Sequence, residues 1–474
     1  MTQAPQMRKE KDSMGELEVP ARAYYGATTR RAELNFPISH LRFGRSFIKA
    51  IGQIKQSAAL VNRDLGTLDP NLADAIVVAA QKVIDGKYDA EFVVDIFQTG
   101  SGTSTNMNAN EVISNVSNEA MGSPLGTRKP VHPNDHVNKG QSSNDVIPTA
   151  IQLAAAVAIM DSLLPAMREL EDSLRAKSKE FWPIVKTGRT HLQDATPIRL
   201  GQEFLGFAGQ IENGRRRARH ALSELCVLPL GGTAVGTGIG MHPEFATRVI
   251  AKLREMTGLD LSETKNHFQA QATIDPVVEA SSSLKTVAVS LMKIGNDIRF
   301  MGSGPRAGIG ELEIPAVQPG SSIMPGKVNP VIIESVTMVS ARVIGNDATV
   351  TIAGHAGSLL ELNVMMPVAA HSLLESIDLL AASCRNFARQ CVNGLKATRK
   401  GPEMVEQGLA ICTALAPVIG YDAAAAIAHD AAETGETVKQ AALRKTRLSL
   451  AELDNILDPA AMVEPGTTIS SGGG

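Results

Sequence analysis

The sequence predicts a mainly α fold in which long helices pack side by side as a bundle. Three observations carry that expectation. Apolar residues recur in alternating steps of three and four over several long segments, the spacing that lines one face of a helix. Two-residue alternation, the mark of a half-buried strand, is scarce. Aromatic residues make up only 4% of the chain, which suits Ala, Leu and Val packing between helices better than a sheet core.

Residues 1–141 read as an N-terminal mixed, mostly helical region, ending in a Pro/Gly/Asn-rich stretch at 122–140. The first long helix follows, with Leu153, Val157, Met160, Leu164, Met167, Leu170 and Leu174 as its apolar stripe. Thr196-Pro197 is expected to open the next, striped by Leu200, Phe204, Phe207 and Ile211. Residues 225–243 carry no charge but hold five glycines, a loop composition. Asp275-Pro276 places an N-cap before a proline suited to the first helical position. The stripe Leu284, Val287, Leu291, Ile294, Ile298, Met301 comes next. Asn329-Pro330 precedes a further one, Ile332, Val336, Val339 and Val343. In the run 359–391, Pro367 is expected to kink or end a helix. Shorter helices are expected over 402–415 and 422–432, and a disordered tail over 470–474. Three domains emerge: 1–141, 142–366 as a central long-helix bundle, and 367–474 as a small helical domain. No repeat of 20 to 50 residues suggests a solenoid.

Composition excludes several classes. With 46 basic residues against 49 acidic ones and no long Lys/Arg run, the chain lacks the footprint of a nucleic-acid binder. Four scattered cysteines (Cys226, Cys384, Cys391, Cys412) form no disulfide framework and fit buried thiols in a reducing compartment. The charged N-terminus, with Arg8, Lys9, Lys11, Glu10, Asp12, Glu16 and Glu18, has no apolar signal core. The uncharged stretch 225–243 is too rich in glycine to span a bilayer. A cytoplasmic protein without a membrane partner is the expectation.

Four polar, glycine-bearing strings interrupt the helical pattern: Thr99-Gly-Ser-Gly-Thr-Ser-Thr-Asn-Met-Asn108, Ser142-Ser-Asn-Asp-Val-Ile-Pro-Thr149, Gly188-Arg-Thr-His-Leu-Gln-Asp-Ala-Thr-Pro197 and Gly320-Ser-Ser-Ile-Met-Pro-Gly-Lys-Val-Asn-Pro330. Each lies at or just before an expected helix start, where unpaired N–H groups and the helix dipole favour anions. One such string is explained by N-capping. Four, carrying a His, a Lys and an Arg between them, point to an anionic ligand. Nucleotide motifs fail on context. Gly320 to Lys327 has one residue too many for a P-loop and Val328 where Ser or Thr is needed, and Gly302-Ser-Gly304 follows a helix rather than a strand. His132 and His136 have the i,i+4 spacing of a metal pair, but Pro133 between them argues against the helix it requires.

The string 320–330 resembles the signature loop of the fumarase/aspartase superfamily, and the other three match that superfamily's characteristic blocks over essentially the whole chain. Within it, the details resemble the class II fumarases: His191 stands where aspartases typically carry Gln, and Gly326 where they usually carry Ala. The resemblance implies a three-domain fumarase/aspartase-like fold whose central helices join a tetrameric core, with each active site drawn from three subunits. It implies reversible anti hydration of fumarate to L-malate as a tricarboxylic acid cycle step, through an aci-carboxylate. An aspartate ammonia-lyase or another superfamily lyase is the alternative, and an inactive scaffold a third reading.

The resemblance also assigns residues. Ser321 is the base, His191 the proton partner acting directly or through water, and Glu334 the carboxylate that hydrogen-bonds this histidine. Substrate binding falls to Ser101, Gly102, Thr103, Ser142, Ser143, Asn144, Thr190, Ser322, Lys327 and Asn329. Lys327 and the neutral donors can hold a dianion unaided, so no cofactor or metal is implied. Asp145 is expected to order a helix start and Arg189 to anchor its loop. A secondary anion site is implied at Lys129, His132, Pro133, Asn134 and Asp135. There His136 replaces a common Asp, and Lys129 the Arg of some members.

Overall fold

The computed structural model describes residues 6–465 and is mainly helical. The tail at 470–474 lies outside those residues. By packing, the chain forms two compact units, one of Met1–Pro165, Gly214–Ala288 and Val339–Ala381, the other of Ala166–Asn213, Val289–Met338 and Ala382–Gly474. The chain passes from one to the other inside the long helices Leu200–Leu225, Asp275–Met301, Val331–Ala356 and Met366–Gln390.

In the first unit, the helices Arg45–Asp64, Pro70–Ile84, Thr103–Ala120 and Ser143–Ala158 pack on one another. Phe47, Ile51 and Ile54 of the first are fully buried. Asp69 starts the second by accepting Asn71 and Leu72 N–H, with Pro70 next to it, where a missing N–H costs nothing. An antiparallel hairpin, Met7–Asp12 with Gly15–Pro20, is formed by the charged N-terminus.

In the second unit, the hairpin Val185–Thr190 with Gln193–Arg199 packs against the helix Lys400–Val405. A separate apolar cluster, including Ile411, Leu415, Ile427, Val438 and Leu453, forms the C-terminal core. Tyr421–Thr434, which contributes to it, matches the expected helix over 422–432, whereas the expected helix over 402–415 is split into Lys400–Val405 and a 3-10 turn at Leu409–Leu415.

The strongest stripe behaves as expected: Leu284, Val287, Leu291, Ile294, Ile298 and Met301 are all buried, as are Leu200, Phe204, Phe207 and Ile211. Three expectations need correction. Met160 is 48% exposed, because residues Ile159–Leu163 form a π turn. The wider turn adds one residue to the repeat, so Ile159 and Leu163 take the inward positions. Thr196-Pro197 does not open a helix. Pro197 ends up in a strand, and the helix begins at Leu200. Pro367 sits in the first turn of Met366–Gln390, where it starts a helix instead of kinking one. Among the described residues there are five two-stranded sheets, several only two residues a strand, too short to register as alternation.

Among the described residues, Ser143–Glu180 is long and apolar enough to cross a membrane, but 72% of its apolar window is buried inside the protein. It is a core helix.

Candidate active site

The first string turns into the helix Thr103–Ala120 through Gly102, whose φ of 72° is the left-handed conformation glycine adopts freely. Gly100 is fixed differently: a Cβ there would lie 1.7 Å from the Val364 carbonyl oxygen. Thr105 and Asn106 N–H both donate to the Gly102 carbonyl, and the Ser101 and Thr103 hydroxyls lie 2.9 Å apart. Ser101, Gly102 and Thr103 therefore stand together on one helix N-terminus.

The second string is another. Ser142 Oγ accepts Asn144 N–H at 3.2 Å, and Asp145 Oδ1 accepts Ser142 N–H at 3.0 Å, a reciprocal cap. The other oxygen of Asp145 accepts Gly231 and Thr233 N–H at 3.1 and 3.0 Å, and Asn144 Nδ2 donates to the Ala234 carbonyl. So Asp145 orders the helix start, as its position suggests, and ties the glycine-rich loop to it. The two strings meet directly, with Asn106 Nδ2 donating to Ser143 Oγ at 3.0 Å.

Under them lies the fully buried Lys55, donating to Asn138 Oδ1 at 2.8 Å and Gln141 Oε1 at 3.0 Å. Burial pulls the Lys55 ammonium down to about 7 against the opposing pull of Asp145. Burial likewise pushes the Asp145 carboxyl up, against its backbone donors and Lys55. The sequence reading missed Lys55, Asn106 and Asn138. A signal existed for the first: Lys55 follows Ile51 and Ile54 on a face of its helix that is otherwise apolar.

The third string is a hairpin with His191 and Leu192 as its two-residue turn, at φ of 54° and 60°. Positive φ at both turn residues matches the twist of the flanking strands, and Asn-Gly is the usual choice there. Thr190 and His191 are exposed at the tip. The base is held from inside. Arg189 Nη1 donates to Glu311 Oε1 at 2.8 Å, and buried Lys186 lies 2.9 Å from Glu203 and 3.0 Å from Glu311. Burial pushes the Glu203 carboxyl up, with Lys186 opposing. Arg189 is thus an anchor, as expected of it.

The fourth string is an exposed loop closed at its base. Gly320 N–H donates to the Lys327 carbonyl at 2.8 Å, and Asn329 Nδ2 to the Gly320 carbonyl at 2.7 Å. A Cβ on Gly320 would come within 2.6 Å of that Lys327 oxygen, so only glycine fits. Ser321 Oγ accepts N–H groups from Ile323 at 3.3 Å and Met324 at 2.9 Å. Ser322 is exposed beside it, and Lys327 Nζ donates to Asn329 Oδ1. An open cavity of about 1060 Å³ is lined by Leu192 of the hairpin turn and by Lys327 and Asn329 of the loop. Glu334 lies one turn into the following helix, exposed, and the chain makes no hydrogen bond from it to His191.

At the implied secondary site, Lys129 precedes a cis proline and is exposed. His132 Nδ1 accepts the N–H groups of Asn134 and Asp135, capping the turn Pro133–Val137, and His136 Nδ1 accepts His132 N–H. Burial pulls both imidazoles down, consistent with neutral rings acting as acceptors. Lys11, Arg31, Arg128, Lys129, His132 and Asn134 line a cleft of about 710 Å³ here.

A helical scaffold that presents polar strings at helix starts, one of them a glycine-hinged Ser-Ser loop, defines the fumarase/aspartase class of lyases. Comparison with known proteins narrows it. Residues 15–345 match the model of the Lyase family and 411–464 that of the fumarase C C-terminus. The chain is 50% identical to a class II fumarate hydratase of Methylorubrum extorquens, over 97% of both chains. It is 48% identical to the mitochondrial fumarate hydratase of Homo sapiens, covering 97% of this chain and 90% of that one. A solved class II fumarase from Schistosoma mansoni superposes with a TM-score of 0.95 at 38% identity, covering 97% of this chain and all of the other. The chain belongs to the class II fumarase family.

Proposed function

We propose that this chain is a fumarate hydratase, a hydro-lyase interconverting fumarate and L-malate. The observation that carries the chemistry is the pair of backbone amides on Ser321 Oγ. In the dehydration direction a base must take a proton from carbon beside a carboxylate, and serine is a poor base unless its alkoxide is stabilised. Two N–H donors, with Lys327 nearby in sequence, supply that stabilisation. As the C–H bond breaks, its electron pair moves into the adjacent carboxylate, which becomes the doubly charged aci-form. Loss of the C–O bond then forms the alkene, and the departing hydroxide leaves as water with a proton relayed by His191.

The dianion is held by Ser101, Gly102, Thr103, Ser142, Ser143, Asn144, Thr190, Ser322, Lys327 and Asn329. Glu334 orients His191 once chains assemble. In that reading the enzyme is a homotetramer with each site shared by three subunits. Exposed Leu205, Val289, Met338 and Ile352 on the long helices support packing between copies. Lys129, His132, Pro133, Asn134 and Asp135 form a secondary anion site, and the chain-order domains remain 1–141, 142–366 and 367–474. The enzyme works in the cytoplasm, without nucleic-acid or membrane partners.

Purified protein given L-malate should generate the ultraviolet absorbance of fumarate, and given L-aspartate should not. Turnover of aspartate alone would make it an ammonia-lyase. Turnover of neither would leave the scaffold reading.

A further inference from the structure

Hydrogen-bond polarity beneath the second string is fixed by one residue. A lysine ammonium has only N–H donors to offer and no acceptor. The side-chain atoms facing Lys55 Nζ, Asn138 Oδ1 at 2.8 Å and Gln141 Oε1 at 3.0 Å, must therefore be oxygens. With its oxygen so placed, Asn138 directs Nδ2 to the Gln141 carbonyl at 3.0 Å. The atom that Asn106 sets 3.2 Å from Asn138 Oδ1 must then be its nitrogen, and so must that of Asn110, also at 3.2 Å. That same Asn106 nitrogen lies 3.0 Å from Ser143 Oγ, so the serine oxygen accepts, and its own proton has no acceptor among the described residues.

Strain in the arrangement shows that it is imposed. Three donors converge on one Asn138 oxygen, while the buried oxygens of Asn106 and Asn110 have no partner. Turning the Asn106 amide over would satisfy its oxygen from Ser143, but would set oxygen against oxygen at Asn138. Buried unpaired acceptors are uncommon and costly. Here they are the consequence of a relay that starts at Lys55.

We infer that Lys55, Asn138 and Asn106 are positioning residues that lock the Ser143 hydroxyl as a hydrogen-bond donor toward a substrate carboxylate. None of the three touches substrate. The inference rests on the proposed placing of Ser143 in the dicarboxylate site, and it explains why a lysine is buried in an apolar helix face. A carboxylate has no proton to give, so a serine whose proton is already committed elsewhere could bind it only after breaking that bond.

The test is a cycle on the full-length enzyme. Lys55→Met removes the polarity anchor with little change of volume, and Asn138→Leu severs the relay while leaving Lys55 and Asp145 in place. Each is made alone and with Ser143→Ala, and KM and kcat for L-malate are measured beside Tm. Each single variant should raise KM about tenfold, the scale of one hydrogen bond to a charged group, with kcat changed far less. In the Ser143→Ala background neither should raise KM further. If Lys55→Met does not fold, Asn138→Leu carries the same cycle. A KM rise that persists in full without the Ser143 hydroxyl, or no rise at all, overturns the relay. Ser143→Ala with an unchanged KM would instead show that Ser143 does not meet substrate, removing the ground on which the relay stands.

Discussion

Ser321 is half-buried at the start of an exposed loop, and its Oγ receives two backbone amides. Replacing it by alanine removes the proposed base and nothing the fold depends on. Ser321→Ala should lower kcat at least about 10²-fold, as for loss of a positioned acid or base, with Tm unchanged. Near-native turnover would mean another group takes the proton. Lys55 makes a different statement, about stability. Its ammonium is pulled down to about 7 by burial, while in the unfolded chain it titrates near the ordinary lysine value of about 10.5. Between those values the unfolded state binds more protons, so stability rises with pH, by at most about 1.4 kcal/mol per unit from this group. The carboxyl of Asp145, whose charge opposes that pull on Lys55, is itself pushed up by burial. Denaturant midpoints measured from pH 7 to 9.5 should therefore climb more for the wild type than for Lys55→Met. Parallel curves would show that Lys55 titrates normally. At this scale the sequence is legible where residues act through type and neighbours, as with the Asp145 cap. It marks Lys55 only as a cation on an apolar helix face, because the relay residues Asn106 and Asn138 stand some fifty and eighty residues further on.

The elements that carry the site are set by backbone constraints more than by propensity. The hairpin turn is the clearest case. His191-Leu192 adopts a geometry that suits Asn-Gly, so neither residue announces it, and the Pro197 that reads as a helix start lies in its second strand. Positive φ in a residue with a Cβ costs about 1–2 kcal/mol. Leu192→Gly should relieve part of that and raise Tm slightly, whereas a drop would show that the Leu192 side chain holds the tip by packing. The π turn at Ile159–Leu163 was equally hidden, since one extra residue in a turn leaves the apolar composition unchanged. By contrast the stripe from Leu284 to Met301 was fully legible, because an uninterrupted helix makes periodicity and burial the same thing. In the loop of the fourth string, glycine carries the constraint. Gly320→Ala would press a Cβ to 2.6 Å from the Lys327 carbonyl and 2.8 Å from Asn329 N, both backbone, and so spread the loop's base. Displacing Ser321 and Lys327 by about an ångström should cost about 10²-fold in kcat/KM. Because residues 322–328 are exposed, Tm should hardly move. Full activity would show that the loop tolerates a wider base.

Over the whole molecule, the strings fall into two pairs. Asn106 joins the first to the second, and one cavity is lined by both the third and the fourth. A sequence can flag all four strings, since each carries its own turn and cap chemistry, but it does not say which chain of an assembly supplies which string to a given site. The proposed tetramer answers that by sharing, and sharing has a consequence that folding within one chain does not. Suppose Ser143 and His191 of a single site come from different chains. Ser143→Ala and His191→Asn enzymes should each be impaired alone, but chains of the two kinds, unfolded and refolded together, would build some sites with both residues intact. For random one-to-one assembly that fraction is about a quarter, the product of two independent halves. Activity of the mixture should then exceed the sum of the separately refolded variants and approach about a quarter of wild type. If both residues of a site belonged to the same chain, no mixing could restore one, and the mixture would show only the average of its parts.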